Sequence, residues 1–194
     1  MKIRFLIVLC MAVMFVGCAT HLPYIAPMQL SVPQQEIIDI IANMGQEILL
    51  FDYSLGEAFN DIEVRGEIFR YGESLGSMGG LSIYKSEGFG DGRLAIYVRH
   101  CRHNNEFQYV IYSEGGTFTS TAWTHSRETV GRMFGQIDEA VSITDGQEII
   151  IYISKFTTDY SMPVFNDFQY YLQPEALAGY TYVHLIKARF SQRG

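Results

Sequence analysis

The chain has 194 residues, a formal net charge of −7 and a hydrophobic fraction of 48%. This length accommodates one domain with a sizeable core and is too short for two large ones. The acidic balance argues against nucleic acid as a partner and against a basic patch that binds anionic lipid. An aromatic content of 14% and 18 glycines are typical of a β-rich fold with tight turns.

The chain begins with a positive N-terminus and an apolar run. Lys2 and Arg4 precede an unbroken apolar stretch from residue 5 to residue 16. As a helix this stretch would span about 18 Å, against a hydrocarbon core of about 30 Å. The pattern therefore favours a signal peptide over a transmembrane helix. An ordinary secretory peptide, cut near Ala19, is one version of this interpretation.

The apolar run ends in Phe15-Val16-Gly17-Cys18. This stretch resembles the lipobox of bacterial lipoproteins, with Phe15 where leucine is usual. The resemblance implies cleavage before Cys18, a diacylated thiol, an acylated amino group and a membrane partner reached through this lipid. Two or three acyl chains anchor a protein firmly, because each buried CH₂ contributes about 0.8 kcal/mol. Ala19 stands where some lipoproteins have an inner-membrane retention aspartate, so the resemblance implies the outer membrane in a cell with two membranes.

Three units are predicted along the chain. Residues 1–17 form the signal peptide, residues 18–30 hold the lipidated cysteine and a proline-containing tether, and residues 31–194 form a single globular domain. Prolines favour extended backbone, so the domain is expected close to the membrane. Cys101 is the cysteine left in the domain and cannot form an internal disulfide.

The first predicted helix starts at Ser31. Ser31 and Gln34 form a capping-box pattern, and an apolar stripe recurs at helical spacing as far as Phe51. The polar side of this helix has no lysine or arginine. The pattern therefore favours a helix laid on a core over a membrane-surface helix. The stripe consists of Ile37, Ile40, Ile41, Met44, Ile48 and Phe51.

A period of two begins at Asp61 and predicts a strand to about Tyr71. The glycine-rich stretch 72–80 is predicted to be a flexible loop. Short turns separate the strands that follow, which indicates an antiparallel meander. These strands are predicted at Leu81–Lys85, Arg93–Cys101, Phe107–Tyr112 and Thr117–Trp123.

A second helix is predicted from Ser126 to Ser142. Its stripe contains Val130, Met133, Phe134, Ile137 and Val141. Apolar residues at these intervals would lie on one side of a helix that packs on the sheet.

The C-terminal third is expected to be mostly strand. Glu148–Phe156 is apolar at most odd and even positions alike, as in a strand covered on both faces. The predicted fold class is α+β, a largely antiparallel sheet of six to eight strands with two main helices packed on it. The remaining predicted elements are a strand at Val164–Leu172 with a helical alternative, a short helix at Pro174–Ala178 and a strand at Tyr180–Phe190.

His100-Cys101-Arg102-His103 is the densest group of metal-ligand residue types. A zinc site needs three or four converging ligands. Adjacent strand residues point to opposite faces, so His100 and Cys101 cannot easily share one ion. A polar hairpin tip is therefore favoured, and neither a metal nor a cofactor is predicted.

Catalytic residues are not predicted either. A hydrolase needs a nucleophile beside an oriented histidine, for which Cys101 with His125 or His184, or Thr117–Thr121 with His125, are candidates. Glycoside hydrolysis needs two carboxylates across a cleft. The candidate acids are Glu63, Glu67, Glu114, Glu128 and Glu148.

Aromatic surface is the remaining positive signal. Tyrosine combines contact area with a hydroxyl group, and residues 156–168 form an aromatic-rich segment suited to recognition. The leading hypothesis is a membrane-anchored cell-envelope lipoprotein with a non-catalytic binding or structural domain and an envelope protein or glycan partner. The alternatives are an envelope hydrolase and a carrier of an apolar ligand.

Overall fold

The computed structural model describes residues 22–44, 46–101, 106–113, 116–123, 131–158 and 168–192. The side chains of residues 100, 101, 106, 107 and 120–123 lie outside that description. Two antiparallel β-sheets pack face to face, and their inner faces enclose the main hydrophobic core.

The described part of the chain contains one α-helix, two short 3₁₀ helices and eleven strands. The helices are α1 (Val32–Asn43), η1 (Gln169–Leu172) and η2 (Pro174–Leu177). The strands are β1 (Tyr24–Pro27), β2 (Gln46–Ser54), β3 (Asp61–Arg70), β4 (Glu73–Tyr84), β5 (Asp91–Cys101), β6 (Glu106–Ser113), β7 (Gly116–Trp123), β8 (Gly131–Gln136), β9 (Val141–Ser142), β10 (Glu148–Thr157) and β11 (Tyr182–Ser191).

The strands form two sheets. Sheet A has the order β7-β6-β5-β2-β1-β9, and sheet B has the order β4-β3-β11-β10-β8. The edge strands β4 and β7 lie against each other. There the α-carbon of Gly79 approaches the Phe118 ring so closely that a Cβ would collide with it. One side of the sandwich is therefore closed by close packing between edge strands.

A second layer of packing covers part of the outer face of sheet B. Ile150 and Ile153 of β10 project there and are buried under a segment that contains η1 and η2. Tyr171 and Leu177 are buried side chains of that segment. β10 is thus covered on both faces, which confirms the prediction for Glu148–Phe156.

The predicted α+β class is wrong, because the fold is a two-sheet β-structure with one α-helix in the described residues. The predicted second helix is replaced by β8 and β9 from residue 131 onward, and its first residues lie outside the description. Gly131 and Gly135 disfavour a helix by about 1 kcal/mol each, and pairing of β8 with β10 satisfies the backbone instead.

Other boundaries also differ from the predictions. The glycine-rich stretch predicted as a loop belongs to β4 from Glu73 onward, and Gly76 and Gly79 of this strand have positive φ. Tyr24–Pro27, within the predicted tether, pairs with β2 as β1. The described part of Val164–Leu172 contains η1 rather than a strand. The meander β5-β6-β7, the short helix after Pro174 and the final strand are confirmed.

α1 starts where Ser31 predicts it, and the backbone N–H of Ser31 donates to Gln34 Oε1 at 2.9 Å. It ends at Asn43, however, and the residues predicted as its last turns form β2. β2 is rich in apolar and aromatic residues that alternate between buried and half-buried positions. Of the helices in the described residues, none is long and apolar enough to cross a bilayer.

Candidate functional site

The side of the sandwich opposite β4 and β7 brings β2 close to β8. β1 pairs with β2 only over Phe51–Ser54, and β8 is the edge strand of sheet B. Arg132 of β8 donates through Nη2 to Glu47 Oε1 of β2 at 2.7 Å. This ion pair joins the two sheets side chain to side chain. We call the group of Glu47, Arg132, Tyr152 and Ser154 the seam.

Both carboxylate oxygens of Glu47 accept hydrogen bonds. The second oxygen, Oε2, accepts from the Tyr152 hydroxyl at 2.9 Å. Arg132 also donates through Nε to Ser154 Oγ at 3.3 Å. The side chains of Arg132 and Glu47 are only 23% and 10% exposed. Charge-assisted hydrogen bonds of this kind offset the cost of removing an ion pair from water.

Behind the seam, Tyr109 and His184 form a buried pair between the sheets. The Tyr109 hydroxyl lies 2.5 Å from His184 Nδ1. Burial, followed by the charge of Arg132, lowers the pKa of His184 to about 3. Burial also raises the pKa of Tyr109. The imidazole is therefore neutral near pH 7, and a base with so low a pKa is poorly matched to general-base catalysis.

Lys155 forms a separate buried cluster on the outer face of sheet B. Its Nζ donates to the hydroxyls of Tyr171 at 2.9 Å and Tyr180 at 3.0 Å. The same Nζ lies 4.6 Å and 4.5 Å from the centroids of these two rings. Burial lowers the pKa of Lys155 from its ordinary 10.5 to about 8. The ammonium group of Lys155 therefore has hydroxyl and aromatic contacts with Tyr171 and Tyr180.

Three of the candidate acids lie in a ladder of charges on the outer face of sheet B. Glu63 pairs with Arg189, and Glu148 pairs with Arg65. Lys187 Nζ lies 2.6 Å from Glu67 and 3.5 Å from Glu148. Cations thus neutralise all three carboxylates on a sheet face. This arrangement differs from two acids that face each other across a cleft.

The other sequence candidates fall mostly outside the description. Cys18, His103, His125, Glu114 and Glu128 belong to the undescribed residues, as does most of the aromatic segment 156–168. His100 and Cys101 lie in β5, with side chains outside the description. Thr117 and Thr119 are exposed in β7. Among the residues that the structure describes, no group of three or more His, Cys, Asp or Glu could hold a metal ion.

The tyrosines, which the sequence suggested as recognition residues, include both core and surface side chains. Four are exposed on four different elements or turns: Tyr71, Tyr84, Tyr112 and Tyr170. Tyrosines 109, 152, 171, 180 and 182 are buried. The inward-facing tyrosines and isoleucines pack into one contiguous cluster, which lends no support to the apolar-carrier hypothesis.

An arginine and a phenylalanine form the outer rim of the seam. The Arg132 guanidinium carbon lies 5.2 Å from the Phe134 ring centroid and 5.9 Å from that of Phe156. Phe134 is 51% exposed. The rim therefore exposes an aromatic ring and part of a guanidinium group to solvent.

Neither Glu47 nor Arg132 was singled out from the sequence, because each falls within a stretch predicted to be a helix. The alternation Glu47-Leu49-Phe51-Tyr53 on the buried side of β2 is the signal that could have located Glu47.

The described groups of the seam join the two sheets and leave Phe134 exposed, and His184 behind them is held neutral. No family model, no curated protein and no solved structure matches this chain.

Proposed function

We propose that the chain is a membrane-anchored cell-envelope lipoprotein whose β-sandwich is a non-catalytic binding domain. The observation that carries the proposal is the seam, where an ion pair and a tyrosine fix the sheets beneath an exposed Phe134. Lipid on Cys18 would hold the domain at the membrane, in the outer membrane where two membranes are present.

The residue types at the rim support a binding role. Arginine and aromatic side chains contribute disproportionately to protein interfaces, especially when their rotamers are already fixed. Arg132 is fixed by Glu47 and Ser154, and its guanidinium lies against Phe134. A partner would therefore meet a preorganised surface. An envelope protein or glycan fits this chemistry, because both present groups that stack on an aromatic ring and accept hydrogen bonds.

The structure offers the hydrolase alternative little support. A hydrolase that used His184 would need an imidazole that exchanges protons near neutral pH, whereas burial lowers the pKa of His184 to about 3. The acids Glu63, Glu67 and Glu148 each pair with at least one cation. A turnover activity of the purified protein on envelope substrates that one point substitution abolishes would contradict the proposal.

Photo-crosslinking in cells tests the binding surface. A photoreactive phenylalanine analogue replaces Phe134, and in a matched control it replaces Tyr84, which is 55% exposed on β4. We expect a discrete adduct from position 134 and none of that size from position 84. Equal adducts from both positions, or none from position 134, would refute the seam as the binding site.

Fractionation tests the anchor separately. We expect Cys18→Ser to leave the membrane fraction while its domain keeps the thermal transition of the parent protein. Complete retention of this variant with membranes would show that lipid on Cys18 is not the anchor.

A further inference from the structure

α1 has an apolar stripe that the domain does not cover. Ile37 is 59% exposed, Ile40 is 61% exposed and Met44, which caps the helix, is 72% exposed. Their spacing places them on one side of the helix. Ile38 and Ile41 are the half-buried isoleucines, and α1 packs against β2. The expected helix on a core is therefore only half covered, since no α1 residue is buried.

The position of the chain's N-terminal end indicates what lies against this stripe. Leu22, the first described residue, is 73% exposed and stands four positions after Cys18 in the sequence. Four residues span at most about 14 Å, so lipid on Cys18 would hold this end of the domain beside the bilayer. This step rests on the proposed lipid anchor.

β1 and α1 follow one another directly and both belong to the sheet A side of the domain. β1 pairs with β2, against which α1 packs. η1 and η2 cover the outer face of sheet B, on the opposite side of the sandwich. The strand through which the anchored chain enters the domain and the helix that carries the uncovered stripe therefore both lie against β2.

We infer that Ile37, Ile40 and Met44 lie on the lipid bilayer, so that the domain rests on the membrane through α1. The charges of α1 specify the kind of contact. Glu36 and Asp39 are its charged residues, and it contains no lysine or arginine. The lack of basic residues, which disfavoured a membrane-surface helix in the sequence, argues only against a contact made by charge. Insertion of apolar side chains, rather than attraction to anionic headgroups, therefore drives the contact, and it tolerates both zwitterionic lipid and salt.

Depth-dependent quenching tests the contact. The acylated full-length protein is reconstituted into phosphatidylcholine vesicles that carry a quencher on their acyl chains. A polarity-sensitive fluorophore is attached at Ile40→Cys or, as a matched control, at Tyr170→Cys. Tyr170 is 53% exposed in η1, on the far side of the domain. The unsubstituted protein, which retains Cys101, is the labelling blank, and circular dichroism confirms that each variant is folded.

We expect at least about threefold stronger quenching at position 40 than at position 170, because interfacial helices insert their apolar side by several ångströms. The difference should persist in high salt and should not grow when anionic lipid is added. Equal quenching at the two positions would overturn the inference. The inference would also be overturned if the protein sediments as a dimer without vesicles and the label at position 40 is already shielded from water. That result would mean that a second copy of the chain covers the stripe.

The mass of the same preparation separates the two claims. An acylated mass with an unquenched label at position 40 refutes the α1 contact and leaves the anchor intact. A mass without acyl chains refutes the anchor, and with it the premise of the inference.

Discussion

A partly buried arginine and a fully buried lysine lie on opposite faces of sheet B and are stabilised in different ways. Arg132 reaches inward and bonds a carboxylate of the other sheet, whereas Lys155 points outward into two phenol groups. The guanidinium group supplies several hydrogen-bond donors in a fixed fork. The ammonium group bonds hydroxyls, and burial lowers its pKa to about 8. The arginine therefore joins two sheets, while the lysine is a pH-dependent part of a local cluster.

Arg132 and Lys155 differ in how much their charge contributes to the free energy of unfolding. Removing one member of a buried pair leaves the other charge without compensation, whereas replacing both with apolar groups is often neutral. A buried ammonium group that bonds to neutral hydroxyls is different. Its substitution removes the cost of desolvating the charge as well as the hydrogen bonds, and the two effects offset each other.

The largest effect is expected at the seam. Arg132→Met should lower the free energy of unfolding by about 3 kcal/mol, because it leaves the Glu47 carboxylate poorly compensated. The double variant Glu47→Leu/Arg132→Met should recover most of this loss. Urea denaturation of both variants measures the difference. A double variant that is no more stable than the single one would show that the pair itself contributes little.

Acid should lower the free energy of unfolding through His184, which is buried behind the seam. His184 has a folded-state pKa of about 3, below its ordinary 6.5, so the unfolded chain takes up a proton first as the pH falls. Stability is thus lost progressively below pH 6.5, by about 2 kcal/mol between about pH 6 and about pH 4.5 from this residue alone. The loss measured by urea denaturation over that interval should be smaller in His184→Gln. Identical losses in both proteins would exclude His184 as the source.

Mild alkali should raise the free energy of unfolding through Lys155. Its pKa is lower in the folded state than in the unfolded chain, so the unfolded state holds the extra proton between pH 8 and pH 10.5. Stability should therefore rise by about 1 kcal/mol from about pH 8 to about pH 9, where tyrosines of the unfolded chain are still mostly protonated. Chemical denaturation of the parent protein and Lys155→Met measures this rise. A rise that persists in Lys155→Met would assign it to another group.

The smallest effect is expected from Lys155→Met itself at neutral pH. The apolar chain fills nearly the same space, and the lost desolvation cost offsets the lost bonds to Tyr171 and Tyr180. The free energy of unfolding should change by less than about 1 kcal/mol. A loss as large as that of Arg132→Met would mean that the two cations stabilise the fold in the same way.

Local pattern was sufficient for some strands and failed for others. Strands β5, β6 and β7 were predicted because each alternates and a short turn follows. β8 was mistaken for a helix because Met133, Phe134 and Ile137 have helical spacing. In the structure β8 ends at Gln136, before Ile137, and Phe134 is exposed at a sheet edge. Pairing with β10 decided the conformation, and pairing between distant segments leaves no periodic signal.

The seam could not be predicted from spacing. Glu47 and Arg132 are 85 positions apart. They meet because β8 is the edge strand of sheet B and Glu47 lies in the part of β2 that β1 does not pair with. His184 was identified as a candidate by residue type alone. Its burial, which lowers its pKa and argues against a catalytic role, depends on the packing of both sheets. The motif at Cys18 is local in sequence, so the lipid anchor can be predicted without knowledge of the fold, and it remains a prediction.

The intact mass of the membrane-extracted protein tests the central claim most directly. The account predicts a chain that starts at Cys18, lacks residues 1–17 and carries the added mass of two or three acyl chains. An unmodified mass, recovered from the soluble fraction, would contradict the lipid anchor and the membrane localisation that depends on it.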